Sequence, residues 1–233
     1  MSEMDVVKEI AQQALSVATL TGTKDNWLWD RAQRVLRNVE HICSLPELTE
    51  KNLPIDKFCL TAAACFSEAG FTHSAEAEDT GSKPVFADVS SNDLRDFSTR
   101  IVADKLAGAI PEHKIDKINK IITESGNRLT NMPEAMILSD ARNLDDMGAV
   151  GLFNEFRKYA ALGKGVADIL KTWKRKLDYQ YFQARLKESF RFESVEKLAQ
   201  KRHIAVENFM NQLQTENAAG DLEKLIAESL DKI

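Results

Sequence analysis

The sequence predicts an all-α protein, and three observations carry that reading. Only five prolines and ten glycines interrupt 233 residues, so long stretches are free to continue as helix. Apolar residues recur at three- and four-residue spacing along most of the chain, and no run of any length alternates with period two. Hydrophobic content of 43% against 29% charged is the composition of a chain that buries a core. A single domain of this length buries roughly 70% of its unfolded surface and needs no staples. The expected architecture is one helical bundle of nine or ten helices over 25–215, with an N-terminal helix in 1–24 and a C-terminal helix in 216–233.

Taken in order, Val6, Val7, Ile10, Ala14, Leu15 and Val17 share a face of a helix over 4–20, which Thr21-Gly22-Thr23-Lys24 breaks. Asp25 or Asn26 caps a second helix through Trp27, Val35, Val39 and Ile42, which ends ahead of Pro46. Residues 46–54, bounded by two prolines, read as a loop. Residues 55–69 are apolar nearly all round in their later half, the pattern of a central buried helix. Phe71 to Ser90 has no helical pattern, and twenty such residues in a compact domain indicate a functional loop or a mobile one. Ser91 and Asn92 cap a helix over 93–108 with Leu94, Phe97, Ile101, Val102 and Leu106 on one side. Pro111 opens the next in its first turn, with Ile115, Ile118, Ile121 and Ile122 inward, and Gly126-Asn127 stops it. Beyond residue 156, stretches 166–188 and 193–216 read as two long amphipathic helices, and Asp221 opens a short terminal one.

Composition excludes several functions. A net charge of −5 is wrong for a general nucleic-acid binder, which wants a basic surface. Cys43, Cys59 and Cys65 are an odd number without metal-ligand spacing, and Cys59 and Cys65 sit in an apolar helical run as small buried hydrophobes. A disulfide framework is not expected, which points to a reducing cytoplasm. The acidic residues in MSEMDVVKEI are wrong for a signal peptide, and no stretch approaches the roughly 20 apolar residues of a membrane span. The expectation is a soluble, cytoplasmic protein.

The stretch that carries chemistry runs from Pro133 to Phe156, PEAMILSDARNLDDMGAVGLFNEF. Asp140 follows a short apolar run, then come Asp145-Asp146 and the small-residue turn Gly148-Ala149-Val150-Gly151. This segment resembles the late-aspartate segment of the HD-domain superfamily of metal-dependent phosphohydrolases, and the likeness extends over roughly residues 25–215. The resemblance implies an all-helical fold around a metal that lowers the pKa of bound water and polarises a phosphoryl oxygen. It places the late metal-binding Asp on Asp140. The first family His, three residues before an Arg-Val pair, falls on Arg31 ahead of Arg34-Val35. The His-Asp pair at the end of the central helix falls on Ser67 and Glu68 in the run Ala63 to Gly70. Further histidine positions of the family fall on Arg95 and Ser125, and Ser98 matches a position often small.

Arginine has no lone pair to give a metal, so the implied centre is degenerate. Glu68 and Asp140 would offer an oxygen site suited to Mg²⁺, Mn²⁺ or Ca²⁺ at most. A second expectation follows from charge: the Arg31 guanidinium takes the metal's position and faces both Glu68 and Asp140 through forked hydrogen bonds. A register shift of one residue would put Asp30 there instead and give three carboxylates.

The leading expectation is a non-catalytic binding or regulatory module for a nucleotide or other phosphorylated ligand, with Arg31 and Arg34 meeting the phosphate. The alternatives are a phosphohydrolase with a carboxylate-rich metal site, and a helical scaffold acting through its C-terminal helices. A homodimer through helices is compatible with each. His41, His113 and His203 read as surface or helix-packing residues, while His73, in the long loop, lies within reach of the old site. The cluster Lys171 to Lys176 reads as a solvated face rather than a phosphate contact with Trp173 as stacking platform. Ser67 lacks a His partner and is a poor nucleophile, and Gly148 and Gly151 serve a turn and close packing.

Overall fold

A computed structural model describes residues 1–18, 24–50, 53–72 and 90–230. Twelve helices occur among the described residues, with one two-residue antiparallel ladder pairing Val17–Ala18 with Lys24–Asp25. The all-α class is as the periodicity predicts. His73 and most of the irregular stretch, 73–89, lie outside the described residues.

The chain divides into two units. The first comprises Met1–Asp145 and Ser189–Val195, the second Asp146–Glu188 and Glu196–Ile233. These boundaries differ from the expected 24/25 and 215/216. The N-terminal helix belongs to the first unit, because its apolar face, Val7, Ala11 and Leu15, is wholly buried there.

In the first unit, α1 (Glu3–Leu15) starts at a capping box in which Ser2 and Asp5 exchange side-chain hydrogen bonds with each other's backbone. It stops earlier than expected because Ser16 turns extended and its Oγ donates to the Gln12 carbonyl. Helix α2 (Trp27–Ile42) buries Leu28, Ala32, Val35 and Val39 at helical spacing. The proline-bounded segment holds a single turn, α3 (Pro46–Thr49), with Pro46 at its start where a missing N–H costs nothing. Helix α4 (Lys57–Phe66), capped by Asp56 on the Cys59 N–H, is the centre. It packs against α1, α2, α5 (Ser91–Leu106) and α6 (Glu112–Glu124). Ala62, Ala63 and Ala64 are fully buried, and side chains this small let neighbouring helices approach closely. Gly70 takes the approach furthest: a Cβ there would lie 2.2 Å from the Leu94 carbonyl oxygen. Helix α7 (Pro133–Asp146) completes the unit with Ile137, Leu138 and Ala141 in the core.

The second unit holds α8 (Ala149–Ala161), α9 (Val166–Asp178), α10 (Tyr181–Ser189), most of α11 (Glu193–Asn217) and α12 (Gly220–Leu230). Gly148, ahead of α8, has φ of +89°, and Gly151 sits so close to the Asp146 carbonyl that a Cβ would be 2.0 Å away. Both glycines serve the turn and the packing. The single helix expected over 166–188 is two, because Gln180 adopts a left-handed φ of 52°. The core is Trp173, Phe182, Val206 and Met210, with Phe156, Ile169 and Leu213 packed against it. Along α12 no residue is buried.

Candidate functional site

The site expected from the resemblance lies in the first unit, where α2, the end of α4 and α7 meet. Arg31 and Arg34 are three residues apart on α2 and so share a face. Asn38, one turn further on that face, donates to the Ala141 carbonyl at 3.1 Å and ties α2 to α7. Ser67 ends α4 and Glu68 follows, only 1% exposed.

Glu68 lies between two arginines. Arg142 Nε donates to its Oε1 at 2.7 Å. Arg31 approaches from the other side, with Nη2 3.5 Å from Oε1 and Nε 3.4 Å from Oε2. Arg31 also reaches Asp145, with Nη1 3.5 Å from Oδ2. Asp145, 3% exposed, in turn accepts a forked pair from Arg34, at 2.7 Å from Nε and 3.3 Å from Nη2. The result is a chain of alternating charge, buried at its centre and part-exposed at both ends: Arg142, Glu68, Arg31, Asp145, Arg34.

Arg31 therefore does meet Glu68, but its second carboxylate is Asp145 and not the expected Asp140. The reason is Asp140's own role. Wholly buried, it accepts from the backbone N–H of Arg191 at 2.9 and 3.0 Å and from that of Phe192 at 3.0 Å. It ties residues 191–192 down as a side-chain cap on the backbone. Burial pushes its carboxyl up to about 7, against the lowering effect of those backbone hydrogen bonds. Helical spacing explains the exchange: Asp145 stands three residues after Arg142, on the side of α7 that Arg34 and Arg31 reach.

The remaining expected positions are also taken by structure. Ser67 Oγ donates back to the Ala64 carbonyl at 3.2 Å, the usual intrahelical role of a buried serine. Ser98 Oγ accepts from Gly70 N at 2.8 Å and donates to the Ser67 carbonyl at 3.3 Å, fixing α5 on the end of α4. Ser125 donates to Ile122. Arg95, one residue past the close approach at Gly70, lays its guanidinium on Gly126, where a Cβ would be 2.2 Å from its Cζ.

These donors do not fit a divalent metal. Arg31 stands where the resemblance puts the first ligand, Glu68 is gripped from two sides, and Asp140's oxygens take backbone N–H groups. Among the described residues no three His, Cys, Asp or Glu side chains converge as a metal-binding group. The expected pairing of Glu68 with Asp140 around Mg²⁺ or Mn²⁺ is not what this geometry offers. The phosphate contacts expected of Arg31 and Arg34 also meet an obstacle, since both guanidinium groups already lie on carboxylates.

The second unit contains an open cleft. Its floor is aromatic: Trp173 and Phe182 have ring centroids 4.8 Å apart, and His203 lies 4.5 Å from Phe182. Two ion pairs, Lys176 to Glu155 at 3.2 Å and Arg185 to Asp146 at 2.7 Å, contribute to its lining. Trp173 is thus core and not a stacking platform, and Lys171, Lys174 and Arg175 are exposed, as a solvated face requires. His203 packs inside, and burial lowers its pKa. His41 and His113 are exposed. No helix is long and apolar enough to cross a membrane among the described residues.

Comparison with known proteins identifies a class by architecture alone. No family model matches the chain, and no curated protein sequence matches it. Solved structures do match, and over nearly the whole chain. YpgQ of Bacillus subtilis, crystallised in complex with ADP, superposes with a TM-score of 0.57 at 20% identity, covering 92% of this chain and 94% of that one. The Lin1889 protein of Listeria innocua gives 0.56 at 20% identity, covering 94% and 98%. At such identities the likeness is one of fold.

Proposed function

We propose that this protein is a non-catalytic binding module of HD-domain-like build, whose ligand is a nucleotide or another phosphorylated small molecule. One observation carries the reading. Arg31 and Glu68, at two of the positions where the resemblance puts metal ligands, pair with each other and join Arg142, Asp145 and Arg34 in one chain of alternating charge. A guanidinium in the metal's place neutralises the acidic residues but cannot deliver a lowered-pKa water, so hydrolysis loses its nucleophile. It can still favour an anion nearby. The ADP complex of YpgQ, a protein of the same fold, supports the choice of ligand class.

The test is thermal unfolding of the purified full chain with ADP, ATP and AMP, in chelator, alongside an assay for phosphate release. Stabilisation that grows with ligand concentration, without turnover, is the expected result. Turnover that needs a divalent metal and disappears in Glu68→Gln would instead establish the phosphohydrolase.

A second reading has its own observation. Leu222, Leu225, Ile226 and Leu230 of α12 are 58–65% exposed at spacings of three, one and four, an apolar stripe on an otherwise charged helix. That favours association through α12. A molar mass that depends on concentration and reverts in Leu225→Glu would support it.

A further inference from the structure

The reading above leaves open which cations hold the phosphate, and Arg31 and Arg34 are engaged elsewhere. We infer that Arg95 and Arg142 form the anion-binding pair, gripping the phosphoryl oxygens of a di- or triphosphate, while Arg31 and Arg34 build the wall behind them. The inference rests on the proposed ligand class and names the residues that recognise it.

The argument begins with hydrogen-bonding capacity. A guanidinium carries five N–H donors in a planar fork. Arg142 uses Nε on Glu68 Oε1 and, among the described residues, places no terminal nitrogen on a carboxylate. Arg95 gives Nη2 to the neutral side chain of Asn92 at 2.5 Å and makes no ion pair among the described residues. Both side chains are half-buried, so each retains a donor edge toward solvent. Arg34, by contrast, spends its fork on Asp145.

Position brings the two together. The Leu94 carbonyl abuts Gly70, and Ser98 bridges the Ser67 carbonyl and the Gly70 N–H, so the first turns of α5 rest on the end of α4. Glu68 is at that end, and Arg142 holds it. Arg95 thus lies beside the same corner as Arg142. Gly126 keeps room for it, because any Cβ there would collide with Arg95 Cζ, Nε and Nη2.

Electrostatics agrees with the geometry. Burial first, and then the charge of Arg142, lower the pKa of Arg95, with Asp96 acting the other way. Two cations that repel each other across a partly desolvated corner are relieved by an anion between them. A phosphoryl group matches the guanidinium fork with paired oxygens and carries enough charge to satisfy both. A di- or triphosphate offers more such oxygens than a monophosphate.

The experiment is isothermal titration of the full chain in chelator and low salt with pyrophosphate, ADP and adenosine. Wild type is expected to bind pyrophosphate and ADP but not adenosine. Arg95→Gln and Gly126→Ala, the second displacing Arg95 without changing charge, each weaken both ligands by about tenfold or more. Arg100→Gln, an exposed arginine outside the corner, changes affinity less than about twofold. Melting of each variant without ligand establishes that it is folded, and Arg95→Lys gives a milder substitution at the same point. Binding that survives both Arg95→Gln and Gly126→Ala overturns the inference and leaves the proposed function standing. Absence of binding by wild type at millimolar ADP and pyrophosphate overturns the proposed function itself, and the inference with it.

Discussion

The charged corner of the first unit and the aromatic cleft of the second close themselves by opposite means. In the corner, five side chains are held in alternating charge, and their geometry is dictated by who pairs with whom. In the cleft, Trp173, Phe182 and His203 are held by contact, with rings tilted at 43° and 31° to one another. The difference is one of tolerance. A buried ion pair loses most of its worth when one partner goes, because the other is left charged and desolvated. A packed aromatic core loses in proportion to the volume removed.

The comparison is sharpest in a matched pair of truncations. Glu68→Ala and Trp173→Ala should each cost about 3–5 kcal/mol, read from urea unfolding. They separate on rescue. Glu68→Gln keeps the shape and loses the charge, so nearly the full cost remains. Trp173→Phe keeps apolar bulk and should recover more than half. Equal rescue at both positions would break the distinction.

Asp140 extends the contrast to pH. Its carboxyl rises from an ordinary 3.8 to about 7, so the folded protein binds this proton more tightly than the unfolded chain does. The stability gained from protonation is present in full below about pH 3.8 and is lost as pH rises toward 7. The stability difference between wild type and Asp140→Asn should therefore shrink from pH 4 to pH 7 and flatten above. A pH-independent difference would show that the backbone hydrogen bonds hold Asp140 ionised throughout.

Ser98→Ala is expected to cost about 1–2 kcal/mol, since the Gly70 N–H and Ser67 carbonyl lose a shared partner. The smallest effect should be a gain. Gln180→Gly removes a non-glycine residue from the left-handed region and is expected to stabilise the second unit by about 0.5–1 kcal/mol. Both are readable as shifts in the midpoint of denaturant unfolding.

The fold was legible because its signals are local and periodic. The faces of α2 and α6 and the buried run of α4 are visible as spacings alone. The break between α9 and α10 was not, because it depends on Gln180, a residue with no turn signature of its own. The turn α3 and the extra break raise the helix count above the nine or ten expected. In the site, Arg31 against Glu68 could be anticipated from charge at matched positions. The partner exchange could not, because choosing Asp145 over Asp140 depends on where residues 191–192 return to α7, a contact some 50 residues away in sequence. The role of Arg142 is hidden in the sequence for the same reason. Its signal is a lone arginine within an acidic segment, and Arg95 stands where the resemblance puts a histidine.

Two thiols on α4 give the protein a built-in clock. Burial pushes Cys59 and Cys65 up to about 12, so at neutral pH neither presents the thiolate that alkylating reagents require. Their modification rate therefore counts how often α4 parts from its neighbours. Pulse alkylation would time openings of the segment that ends at Glu68, in the unaltered chain and without an introduced probe. Any ligand that grips the corner should slow that clock.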